Sequence, residues 1–133
     1  MSELTKTEIN RGTALTALLF RFPFPGPWGK ELTEASHGLA SDIANEHGLV
    51  WKIWLEDCKT RHAGGIYLFE DRASAERYRE KHAQRLSAMG LAGATANTFS
   101  VNTELSVLTM AGASLGQTRV SKSASTPVGA ASS

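Results

Sequence analysis

His82 stands on a stripe of helical spacing with Tyr78, Leu86 and Met89, and Arg85 lies close by on the same segment. An imidazole titrates near neutral pH, so at the edge of an apolar cavity it suits general acid or base work. The same position equally suits a core histidine whose nitrogens are satisfied by neighbours. Arg85 reads either as a solvated helix residue or as a clamp for an anion. Trp51 and Trp54 lie three apart, so on a strand they point to opposite faces: one lines any pocket on the helix side, the other faces away, and core packing accounts for either. Phe24 and Trp28, in a proline-rich loop, serve as plugs at the end of a core or as the lip of a pocket. Cys58 and His62 lie four apart on a predicted loop without two further ligands nearby, so no metal site is expected there. No Gly-rich phosphate loop, Gly-x-Ser-x-Gly, His-Glu-x-x-His or Cys-x-x-Cys is present.

The elements that must position these residues are legible in the hydrophobic pattern. Gly48 to Phe69 holds two aromatic, β-branched runs around a polar connection, which predicts a hairpin of strands over Leu49–Asp57 and Gly64–Phe69. Trp51, Ile53 and Leu55 share one face of the first run; Val50, Lys52, Trp54 and Glu56 share the other. Gly64-Gly65 permits a bulge or a close backbone approach. Ala14–Phe22 is a first strand, ended by the loop from Pro23 to Gly29 because proline lacks an N–H. Lys30–His47 carries Leu32, Ala35, Leu39, Ile43 and Ala44 at helical spacing, with Gly48 as a C-terminal cap. A second helix spans Arg72–Met89, with Asp71 as N-cap and Gly90 as stop. Gly93–Val101 is a fourth strand, and Asn102–Met110 a short terminal helix capped by Asn102 or Thr103.

This order is the split β-α-β arrangement of the ferredoxin-like α+β fold: a four-stranded antiparallel sheet with both helices on one face. The other face is left bare yet apolar, so a homodimer with sheets face to face is expected. Residues 1–12 form an N-terminal arm without periodicity and 13–110 the folding domain. Residues 111–133 are a Ser/Ala/Gly-rich tail whose composition predicts disorder. A core built from about 100 residues is modest, so self-association helps.

The chain has 133 residues and a formal charge of +1, with scattered Lys and Arg, which speaks against a nucleic-acid partner. No apolar run spans a bilayer and none has signal-peptide form, so no membrane partner is expected. A single cysteine precludes an internal disulfide and points to the cytoplasm.

Several separated stretches resemble the YdhR-like monooxygenase family: Gly-Leu-Val-Trp-Lys-Ile-Trp (48–54), Ala-Gly-Gly-Ile-Tyr-Leu-Phe (63–69), Glu-Lys-His-x-x-Arg-Leu (80–86) and Phe-x-Val-Asn-x-x-Leu-Ser (99–106). The loop over 22–29 is similar to the family's Phe-x-Phe-x-Gly-Pro-Phe-Gly, with Trp28 in place of a Phe. The resemblance covers about Thr16 to Ser106 and implies a dimeric α+β barrel with a pocket between sheet and helices in each protomer. It also implies a monooxygenase. Relatives that oxidise aromatic polyketides use neither metal nor flavin: a phenol-like substrate is deprotonated and its anion reduces O2.

The resulting expectation is a cofactor-independent oxygenase acting on a small aromatic substrate, with O2 as co-substrate. His82 is the expected proton acceptor, Arg85 and Tyr78 orient an oxyanion, and Trp51, Trp54, Phe24, Trp28 and Tyr67 line the substrate. Alternatives are a haem-binding or haem-degrading enzyme held through His82, a cofactor-free isomerase or lyase, and a non-catalytic dimer that binds a small ligand. The haem case lacks the Asn that such enzymes carry on the first strand.

Overall fold

The computed structural model describes residues 14–110; the N-terminal arm and the tail from 111 lie outside the described residues. The described chain forms two compact units, one through Val101 and one from Asn102. The first unit contains β1 (Thr16–Pro23), α1 (Gly29–Ala35), α2 (His37–Ala44), β2 (Leu49–Asp57), β3 (His62–Phe69), α3 (Arg72–Ala88) and β4 (Thr95–Ser100). The second contains α4 (Thr103–Thr109), whose first turn is capped by the Asn102 side chain accepting from Leu105 N at 3.0 Å.

The four strands form one sheet in the order β2-β3-β1-β4, with every neighbouring pair antiparallel. This is the ferredoxin-like order expected from the element sequence. Leu18, Phe20, Tyr67 and Phe69 of the sheet and Ile43, Ala75, Tyr78 and Leu86 of the helices make one buried cluster. Alternation along β1 explains it, since Thr16, Leu18 and Phe20 are buried while their neighbours are less so.

The helix expected over Lys30–His47 is two helices. The ladder breaks at Ser36 (φ −104°, ψ 5°), which caps α1 through bonds from its N–H to Leu32 O and Thr33 O. Ser36, His37 and Gly38 form a run of weak helix formers, and serine favours helix ends over interiors. The break rotates the apolar stripe: α1 contributes no buried residue, and α2 buries Ile43. α1 starts without a cap of its own, and Glu56 Oε1 of β2 takes the Gly29 N–H at 2.9 Å. That bond ties the hairpin to the loop after β1, as do Phe24 N to Arg61 O (2.9 Å) and Arg61 Nη2 to Pro25 O (3.2 Å).

β3 begins at His62, two residues before the expected start. The irregularity of the hairpin lies between Leu49 and Trp51, not at the glycine pair. Gly64 and Gly65 serve close approach instead: a Cβ on Gly64 would strike the carbonyl of Phe20, and one on Gly65 would lie 2.6 Å from Lys52 Cε. α3 follows the expected pattern. Asp71 Oδ1 accepts from Ser74 N at 2.8 Å, and Ser74, Ala75, Tyr78, His82 and Leu86 are buried. Met89, expected inward, is the C-cap and is exposed. Gly90 adopts φ 81° and Leu91 N returns to Leu86 O, so the chain leaves the helix through a left-handed residue.

The face of the sheet opposite the helices is apolar. Trp51, Ile53 and Leu55 pair across from Leu68, Ile66 and Gly64, and Phe99 pairs across from Ala17. Ile53 is 49% exposed and Phe99 54%.

Candidate active site

Between the sheet and the helices lies a cavity of about 90 Å³. β2 contributes Lys52 and Trp54, β3 contributes Tyr67, and α3 contributes His82. Phe24, Leu32, Ser36, Leu39, Leu86 and Met89 complete much of the rest of the wall. An outer groove of about 320 Å³ shares Leu32, Ser36 and Trp54 with the cavity, so these residues form the partition between them. The inner cavity is smaller than the ~150 Å³ that holds benzene elsewhere. Together with the groove it enters the ~300–1,000 Å³ range of small-molecule sites.

His82 is 3% exposed and its ring stacks on Tyr78 at 5.0 Å between centroids. Its Nδ1 accepts from Arg85 Nε at 3.2 Å. A guanidinium nitrogen only donates, so Nδ1 carries the lone pair and the proton of the neutral ring sits on Nε2. Burial first, then the positive charges of Lys52 and Arg85, lower its pKa to about 3. His82 is therefore a neutral hydrogen-bond donor at physiological pH, and a poor proton acceptor.

Arg85 and Tyr78 stand behind the cavity surface and not on it. Arg85 bonds His82 and, through Nη1, Asp42 Oδ2 of α2 at 3.0 Å, while its buried Nη2 meets no hydrogen-bond partner among the described residues. Tyr78 is fully buried and its hydroxyl is hydrogen-bonded to the Tyr67 hydroxyl at 3.3 Å. Burial above all raises the pKa of both tyrosines, so both remain phenols.

The tryptophans resolve as opposite-facing residues. Trp54 lies on the helix side at the cavity wall; Trp51, paired with Leu68, lies on the open face of the sheet and not in the cavity. The alternation that brings Lys52 and Trp54 inward turns Trp51 outward. Phe24 reaches the cavity, whereas Trp28 packs edge-on against Phe24 at 5.3 Å and stands outside the lining.

Lys52 also stands on the cavity wall, a position its residue type does not suggest. Its Nζ sits 3.4 Å from the centre of the Trp54 ring and 4.7 Å from that of Tyr67. Burial first, then Arg85, lowers its pKa to about 7; the two ring faces favour the ammonium and oppose that shift. The available signal was a lysine between Val50 and Trp54 on the inward face of an apolar strand.

Among the described residues no group of three or more His, Cys, Asp or Glu is placed to hold a metal. No helix among them is long and apolar enough to cross a membrane.

Residues 17–112 match the family described as "Putative mono-oxygenase ydhR". The chain therefore belongs to that family, in agreement with the motifs read from the sequence. Two solved structures are similar to it. One is a variant of SnoaB, a cofactor-independent oxygenase from Streptomyces nogalater, with 21% identity over 67% of this chain and 94% of that one and a TM-score of 0.49. The other is NE2512, a protein of unknown function from Nitrosomonas europaea, with 19% identity over 68% and 92% and a TM-score of 0.46. No curated protein matches the chain.

Proposed function

We propose that this protein is a cofactor-independent monooxygenase that oxidises a small phenol- or quinol-type compound in the cavity beside His82 and the groove that adjoins it. The observation that carries the reading is the convergence of Lys52, Tyr67 and His82 on the wall of an otherwise apolar cavity, in a chain of a mono-oxygenase family. An ionised phenol is electron-rich enough to reduce O2, so the protein must exclude water and hold the anion with donors that cost no reorganisation. His82 Nε2–H is such a donor, with the Tyr67 hydroxyl beside it on the wall. Arg85 and Tyr78 position them, Arg85 by fixing the imidazole tautomer and Tyr78 by its bond to the Tyr67 oxygen. Phe24 and Trp54 form apolar walls, and Trp28 backs Phe24.

The functional unit in this reading is a homodimer. The apolar open face carrying Trp51, Ile53 and Phe99 supports a second copy of the sheet as its cover. An oxygen electrode with a panel of phenols and quinols tests the activity. O2 consumption that requires both protein and phenol is expected. Conversion without O2 uptake would make the protein an isomerase or lyase, and tight binding without conversion a ligand-binding module.

A further inference from the structure

Lys52 occupies a prepared place. Its side chain crosses Gly65, where a Cβ would come within 2.6 Å of Cε, so the glycine makes the room that the amine needs. Its nitrogen is held over the faces of Trp54 and Tyr67. No Asp or Glu lies among the described lining residues of the cavity. Glu56, two strand positions beyond Trp54, accepts from Gly29 N, and Asp42 pairs with Arg85. The charged and titratable groups that face Lys52 are Tyr67 on β3 and His82 and Arg85 on α3, of which His82 has given its lone pair to Arg85.

We propose that Lys52 is the proton acceptor of this cavity, and that the cavity takes a ligand with a weakly acidic hydroxyl, a phenol or an enol, and holds it as its anion. The amine lone pair takes the hydroxyl proton. The O–H bond breaks with its electron pair left on oxygen, an N–H bond forms, and an ammonium–phenolate pair results. No oxidant enters this step. The inference rests on the function proposed above only for the ligand class. The lowered pKa agrees with it, since part of the amine is unprotonated at neutral pH.

The test uses para-cyanophenol, whose anion absorbs at longer wavelength than the phenol, at a pH above the Lys52 value and below that of the free phenol. In the wild-type protein the bound probe is expected to show the phenolate band, with its apparent pKa lowered by about 1 or more, as an adjacent opposite charge does. Binding should release no proton to the buffer, because Lys52 keeps it. Lys52→Met should lose the phenolate band. Lys52→Arg should still bind the anion, since guanidinium stays charged, but should release about one proton per probe because it cannot accept one. Thermal melts of both variants establish that they fold. A neutral bound phenol, no binding, or proton release by the wild type equal to that of Lys52→Arg would each overturn the assignment. Proton transfer without O2 uptake by any phenol would overturn the oxygenase reading and leave Lys52 standing.

Discussion

Arg85 Nε donates to His82 Nδ1 over 3.2 Å, and this one bond decides what His82 offers the cavity. With Nδ1 occupied, Nε2 carries the proton and the ring is a donor. A histidine on an inward stripe thus becomes an oxyanion partner, and the search for a base moves across the cavity to Lys52.

Arg85→Met removes both the donor and a positive charge. The His82 pKa, now about 3, should rise towards its ordinary 6.5, though burial, the larger cause, keeps it below that value. Imidazole NMR titration checks this. An unchanged titration would show that Arg85 does not set the ring's state.

Lys52 makes stability depend on pH. Its folded pKa of about 7 lies below the ordinary 10.5, so between these values the unfolded chain binds more protons and stability rises with pH. At neutral pH and below, the cost of burying the cation is present in full. Because Lys52 is partly solvated, that cost is about 2–4 kcal/mol. Lys52→Met should therefore be more stable than wild type at pH 7, and the gap should close towards pH 10.5. Denaturant melts across that interval read it directly; a constant gap would argue against the buried amine.

Gly65→Ala places a methyl against Lys52 Cε and 3.2 Å from Ile53 O. The expected result is a lysine displaced from the Trp54 ring, loss of para-cyanophenol ionisation and a stability cost of about 1–3 kcal/mol. Gly64→Ala meets the Phe20 carbonyl instead and should destabilise more, since backbone cannot swing aside. The two variants separate an effect on the site from an effect on the sheet.

Ile53→Glu puts a charge on the open face, at a side chain already 49% exposed in the protomer. The protomer should keep its fold while a dimer joined through this face dissociates. Sedimentation at micromolar concentration measures the mass. A wild-type monomer, or a variant dimer of unchanged affinity, would remove the face-to-face arrangement.

The strands and α3 were legible because their signals were local: alternation in β1 and the hairpin, and Asp71, the inward stripe and Gly90 around α3. The break at Ser36 was obscured by apolar residues that keep helical spacing across it, so periodicity outvoted the weak formers Ser36 and Gly38. The pocket was half legible. His82 sits on an inward position that pattern alone identifies, whereas Tyr67 enters only through the family resemblance. Arg85 and Tyr78 were read as facing the substrate because stripe position does not distinguish the layer that touches a cavity from the layer behind it. Lys52 shares a face with Trp54, but the pattern leaves open which face turns inward, and a lysine in a strand usually reaches solvent. Its burial depends on Gly65 of the neighbouring strand, a register relationship that a single strand does not display.

The claim most in need of test is oxygenation itself. Incubating the purified, chelator-dialysed protein with a turned-over quinol under isotopically heavy dioxygen, and weighing the product by mass spectrometry, tests it directly. The account predicts one heavy oxygen atom in the product, with incorporation abolished in Lys52→Met. A product formed at the wild-type rate that carries no heavy oxygen would contradict it.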